Sequence, residues 1–100
     1  MQNYIHWLSH QKVKADMKWG ELQITTERIE RLIEVVEANN YNYKYEEMYL
    51  EILNAWKNND FSQADKEHNF IWELQGGTLG EATGLLTEEE EQAFIKLHFE

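Results

Sequence analysis

Trp72-Glu73-Leu74-Gln75-Gly76-Gly77-Thr78-Leu79-Gly80-Glu81-Ala82-Thr83-Gly84-Leu85-Leu86 contains four of the five glycines of this 100-residue chain. The fifth is Gly20, and there is no proline. Glycine reaches positive φ and lets backbone approach closely. A run of it inside an otherwise proline-free, glycine-poor sequence marks one deliberately non-helical joint. Before the joint, Ala64, His68, Ile71, Trp72 and Gln75 recur along one side of a helix. Gly76-Gly77 is a strong helix stop. After it, Thr87-Glu88-Glu89-Glu90 is a capping box, whose glutamates also complement the helix dipole. The joint reads as a corner between two helices that leads Leu85 and Leu86 toward the core.

Working outward, the rest of the chain is also patterned as helix. Residues 2–15 place Tyr4, Ile5, Leu8 and Val13 near one face at helical spacing. The pattern frays over 16–19, ahead of Gly20. Residues 21–25 alternate and read as an extended connector. Thr25 and Thr26 are N-cap candidates. Ile29, Leu32, Ile33 and Val36 follow as an amphipathic stripe, and Asn39-Asn40 closes it. Residues 44–58 place Tyr45, Met48, Tyr49, Ile52, Leu53 and Trp56 on one face. Ser62 and Asp65, with Phe61 as a staple, resemble a capping arrangement for the next helix. The last helix carries Ala93, Phe94, Ile95, Leu97 and Phe99. The expectation is an all-α fold, a compact bundle of four to five short helices with one glycine-rich corner. It occupies residues 1–100 as a single domain.

Composition narrows the function classes. The net charge is −10, so nucleic acid is a poor partner, because phosphate binding needs clustered Lys and Arg. Charge is uneven: residues 1–20 carry +2 and residues 81–100 carry −5. The absence of cysteine removes disulfides, thiol catalysis and cysteine metal sites. No apolar run approaches the ~20 residues of a membrane span. The chain opens inside an amphipathic pattern, Met1-Gln2-Asn3-Tyr4-Ile5-His6-Trp7. That start suggests a piece cut from a longer protein with a preceding segment.

Each candidate for chemistry competes with a structural reading. His6 and His10 stand at i, i+4, a spacing that brings two imidazoles to one metal. A third ligand from His68, His98 or a carboxylate is not demanded by any spacing. The protease form of the motif needs Glu after the first histidine, and position 7 is Trp. The site assignment is therefore no metal, with His6 and His10 as weak candidates. The competing picture is two polar residues on a partly exposed helix. His68, with Asp65 at i−3, is an oriented acid–base pair or a hydrogen-bonded histidine at the core's edge. The glycines lack the Lys-Ser/Thr of a phosphate loop, and residues 58–65 lack the ligand register of a calcium loop. No cofactor is expected. Trp19, Tyr41 and Tyr43 lie in connectors; with Gly76 and Gly77 they are the candidate edge of an exposed aromatic patch for a protein partner.

Ser9-His10-Gln11-Lys12-Val13-Lys14-Ala15-Asp16 and Lys18-Trp19-Gly20, together with Trp56-Lys57-Asn58, Asp60-Phe61-Ser62-Gln63-Ala64-Asp65 and the Trp72–Leu86 stretch, resemble an uncharacterised family of small proteins from bacilli. The resemblance covers nearly the whole chain. It implies no catalytic residue. It implies an N-terminal hydrophobic segment ahead of the domain, hence export or membrane anchoring outside the cytoplasm. The functional expectation is a non-enzymatic protein–protein interaction module at the cell envelope. The alternatives are a small metal-binding protein or hydrolase using His6, His10 or His68, and a spacer domain beside a membrane anchor.

Overall fold

A computed structural model describes residues 1–15, 18, 20–39, 45–77 and 80–100. In chain order the elements are α1 (Gln2–Ser9), β1 (Val13–Ala15), α2 (Thr26–Ala38), α3 (Glu46–Lys57), α4 (Ala64–Leu74), β2 (Ala82–Leu85) and α5 (Glu88–Phe99). The chain divides into two units, one formed by Met1 and residues 24–61, the other by residues 2–23 and 62–100. Among the described residues, no helix is long and apolar enough to cross a membrane.

The first unit is a helix pair. The Thr25 side chain accepts from the Arg28 N–H and starts α2, as its β-region backbone allows. The stripe then buries Ile29, Ile33 and Val36. On α3, Tyr49, Ile52, Leu53 and Trp56 are buried, and the two helices pack together. The Trp56 ring stacks on Phe61, with centroids 5.9 Å apart. Asn59 ends α3 at φ 61°. Its N–H bonds Trp56 O, and the Asp60 N–H bonds Ala55 O. This is a Schellman stop with Asn in the left-handed position.

The second unit holds α1, α4, α5 and a two-stranded antiparallel sheet, so the architecture is mostly helical rather than all-α. Strand β1 pairs with β2 through Val13↔Leu85, Lys14↔Gly84 and Ala15↔Ala82, with an irregularity between Lys14 and Ala15. The Leu86 N–H extends the ladder to Lys12 O at 2.9 Å. Residues 13–15, expected to finish the first helix, are therefore a strand. Val13 fits both a helical stripe and a pleat; the partner strand some 70 residues away decides between them. Leu85 is correspondingly exposed rather than delivered to the core.

The corner after α4 forms as its glycines predict. The Gly76 N–H bonds Glu73 O and the Gly77 N–H bonds Trp72 O, with Gly76 at φ 70°. Gly77 lies under the Trp72 indole, where an added Cβ would overlap the ring. This Schellman stop includes its usual contact between the residue beyond the turn and the last helical turn. The start of α4 differs from expectation. Its N-cap is Gln63, without a side-chain bond, and Asp65 Oδ1 instead accepts from the Lys66 N–H. At α5 the Thr87–Glu90 capping box is complete in both directions. This helix buries no residue. It is tied to the turn after α1 by Glu91, which accepts from Gln11 Nε2 and Lys12 Nζ at 2.8 Å each.

Candidate metal centre

Helix α1 packs against α4. It is only eight residues long, too short to persist alone. Burial of Ile5 and Leu8 holds it, along with an edge-on contact between Tyr4 and Trp7. His6 follows Ile5 on this helix and is half-buried. The chain leaves the helix in a tight turn, with Gln11 N–H bonding Leu8 O and Lys12 N–H bonding Ser9 O. That turn carries His10 inward. From α4, His68 projects one turn before Trp72. His6, His10 and His68 converge, with one ligand nitrogen from each lying within 4.8 Å of the other two. Ring centroids are 4.7 Å apart for His6–His10, 4.6 Å for His6–His68 and 5.4 Å for His10–His68. His10 and His68 are fully buried.

Each ring is oriented by an oxygen on its far side. His10 Nδ1 bonds the Gly20 carbonyl at 2.5 Å. A carbonyl only accepts, so Nδ1 carries the proton and Nε2 keeps its lone pair. His68 Nδ1 bonds Asn69 Oδ1 at 2.9 Å. The Asn69 amide is itself fixed, because Oδ1 accepts from the Ala82 N–H at 2.7 Å and Nδ2 donates to Ala82 O at 3.0 Å. His68 Nδ1 must therefore donate as well. His6 Nδ1 bonds Gln75 Oε1 at 2.7 Å, and Gln75 Nε2 donates to Asn3 Oδ1 at 2.7 Å. All three Nε2 atoms are thus directed inward with lone pairs available. Outward Nδ1–H bonds to oxygen are what metal-ligating histidines use to fix tautomer and ring angle.

The inward side is unsatisfied as it stands. His6 Nε2 and His68 Nε2 are 3.0 Å apart, a distance at which two lone pairs repel unless a proton or cation lies between them. Among the described residues, His10 Nε2 is buried and has no hydrogen-bond partner, an arrangement that ordinarily costs about 1–3 kcal/mol. Protonation is a poor remedy. Burial pushes His10 down to about 3, against the pull of Gly20 O, with the fields of His6, His68 and the Lys18 ammonium adding to the depression. Burial likewise takes His68 down to about 4, opposed by Asn69 and assisted by His6 and Lys18. Lys18 donates to His10 O at 2.9 Å and lies over the Phe94 ring. Its own pKa is lowered by burial, with Glu21 and Glu90 opposing. A divalent ion accepting the three lone pairs resolves both defects. Tetrahedral zinc sets imidazole nitrogens about 3.4 Å apart, a spacing that falls between the 3.0 Å of the His6–His68 pair and the 4.8 Å limit of the set.

The two weak sequence candidates thus gain His68 as a third partner. His10 is not on the partly exposed helix that its spacing suggested: it is buried, in the turn beyond α1. His68 pairs with Asn69 rather than with Asp65. The orienting residues Gly20, Asn69 and Gln75 had no sequence signal, since each acts through contacts set by the fold. Of the aromatic-patch residues, Trp19, Tyr41 and Tyr43 lie outside the described residues. Gly76 has open space where a Cβ would stand, and Gly77 is covered by Trp72.

The chain matches the model of the Family of unknown function (DUF6241) over residues 5–96 and belongs to that family. The matched segment includes all three histidines. No curated protein matches the chain, and no solved structure matches it.

Proposed function

We propose that this domain is a divalent-metal-binding module in which His6, His10 and His68 hold one ion, zinc foremost, through their Nε2 atoms. The observation that supports this reading is the convergence of three inward lone pairs, each ring being turned that way by an outward bond to Gln75, Gly20 or Asn69. An all-imidazole set suits zinc and its first-row neighbours and does not suit magnesium or calcium, which take oxygen ligands. The ion would join α1 and the turn after it to α4. It would thereby link segments more than 50 residues apart and couple metal occupancy to folding of the N-terminal helix. Competition with a chromophoric chelator tests the proposal. One zinc per chain is expected. His6→Ala, which alters the least buried ligand, should lower affinity by on the order of 100-fold or more, above the effect usual for outer partners, without changing the far-UV circular dichroism. Zinc uptake that His6→Ala leaves unchanged overturns it.

With this reading goes the extracytoplasmic, membrane-anchored placement that the resemblance to small proteins of bacilli implies. Histidine ligands present no thiolate to oxidise, so such a site is compatible with an oxidising compartment. Fractionation that finds the native protein wholly in the cytosol contradicts the placement and leaves the metal site standing.

A further inference from the structure

Three histidines leave a tetrahedral ion one position short. Among the described residues, no fourth His, Cys, Asp or Glu joins the cluster. The orienting partners are also uncharged: a backbone carbonyl and two amide oxygens. A divalent ion here would therefore keep its full double charge in a largely buried setting. The Lys18 ammonium, which bonds the His10 carbonyl at 2.9 Å, adds to the positive field. Its influence reaches both His10 and His68, whereas Glu21 and Glu90 act on Lys18 itself. An uncompensated charge removed from water is strongly unfavourable, and a coordinated anion is the direct remedy. The His6 side of the cluster is the one nearer solvent. His6 is half-buried and its partner Gln75 is exposed, while His10 and His68 form the closed back.

We propose that the fourth position of the metal-loaded site binds a small exogenous anion of the pseudohalide or carboxylate class, drawn in by the neutral His6–His10–His68 set and the adjacent Lys18 ammonium. This rests on the metal reading above and deepens it: the domain is a metal-dependent anion receptor rather than a sealed structural site. The two kinds of zinc site differ in this feature: structural sites fill all four positions with protein ligands, and reactive ones keep one open.

Cobalt(II) in place of zinc makes the test direct, because its visible absorption reports both uptake and the identity of the fourth ligand. The intact chain is loaded with cobalt and titrated with sodium azide, then with acetate, at constant ionic strength. Saturable shifts of the cobalt bands with each anion are expected. Lys18→Gln, which retains a donor for His10 O, should weaken azide binding severalfold without weakening cobalt uptake. Failure to take up cobalt at all refutes the metal reading itself. Cobalt uptake with bands indifferent to both anions overturns the anion proposal alone. Azide affinity unchanged by Lys18→Gln overturns the role given to that ammonium.

Discussion

Acidifying the metal-free protein from pH 7 to pH 5 should destabilise it through the histidine cluster. Free histidine titrates near 6.5, whereas burial holds His10 down to about 3 and His68 down to about 4. Both folded values lie below the unfolded one. The neutral forms therefore stabilise the fold fully above about pH 6.5. That stabilisation is lost as pH falls, continuing until the folded values are reached. Between these limits the unfolded chain binds two more protons than the folded one, worth about 2.7 kcal/mol per pH unit. From pH 6.5 to 5 each histidine gives up about 2 kcal/mol, so about 4 kcal/mol in total, against the roughly 5–15 kcal/mol that holds a domain folded. Urea unfolding at closely spaced pH values, with EDTA present, reads this slope. Stopping at pH 5 keeps the bulk of the carboxylates out of the transition. A His10→Gln variant, whatever its absolute stability, should show about half the slope over the same window. A free energy of unfolding that is flat from pH 7 to 5, or a slope that His10→Gln leaves intact, would refute the claim that these imidazoles are held neutral by burial.

Three further predictions concern the supports of the site and the fold. Asn69→Leu, which removes the acceptor for His68 Nδ1 and both bonds to Ala82, should weaken zinc binding about 10–100-fold; Asn69→Asp restores an acceptor and should recover most of that affinity in the same chelator competition. Gly20→Ala places a Cβ 2.6 Å from Trp7 Nε1 at φ +79°, so a loss of about 2 kcal/mol or more is expected in denaturant melts, and a change below ~0.5 kcal/mol would contradict the close packing of Trp7 on this turn. Thr87→Ala removes the capping box of a helix that buries nothing, and should cost about 1 kcal/mol, visible as reduced helicity at elevated temperature.

The sequence reveals those parts of the fold that depend on neighbours in the chain. The α2 stripe, the Thr25 and Thr87 caps and the Gly76–Gly77 stop all follow from residues within a few positions of one another. The β1–β2 pair does not. Val13-Lys14-Ala15 has no local reason to leave a helical pattern until Ala82–Leu85 is brought alongside it. The same division runs through the site. His6 and His10 are visible as a pair because they are four residues apart, although His10 reaches its place through a turn and not along a helix. His68 is 62 residues from His6, and only the packing of α1 on α4 brings it there. Gly20 reads as a simple helix breaker in one dimension. In three dimensions its carbonyl sets the tautomer of His10, which is the difference between a polar residue on a surface and a ligand.

X-ray absorption at the zinc edge of the loaded protein addresses the central claim most directly, because imidazole rings leave a characteristic multiple-scattering pattern that counts them. The account predicts one zinc site with three imidazole nitrogens at about 2.0 Å and a single additional light ligand. A site with one imidazole or none, dominated by oxygen from the acidic C-terminal helix, would contradict it.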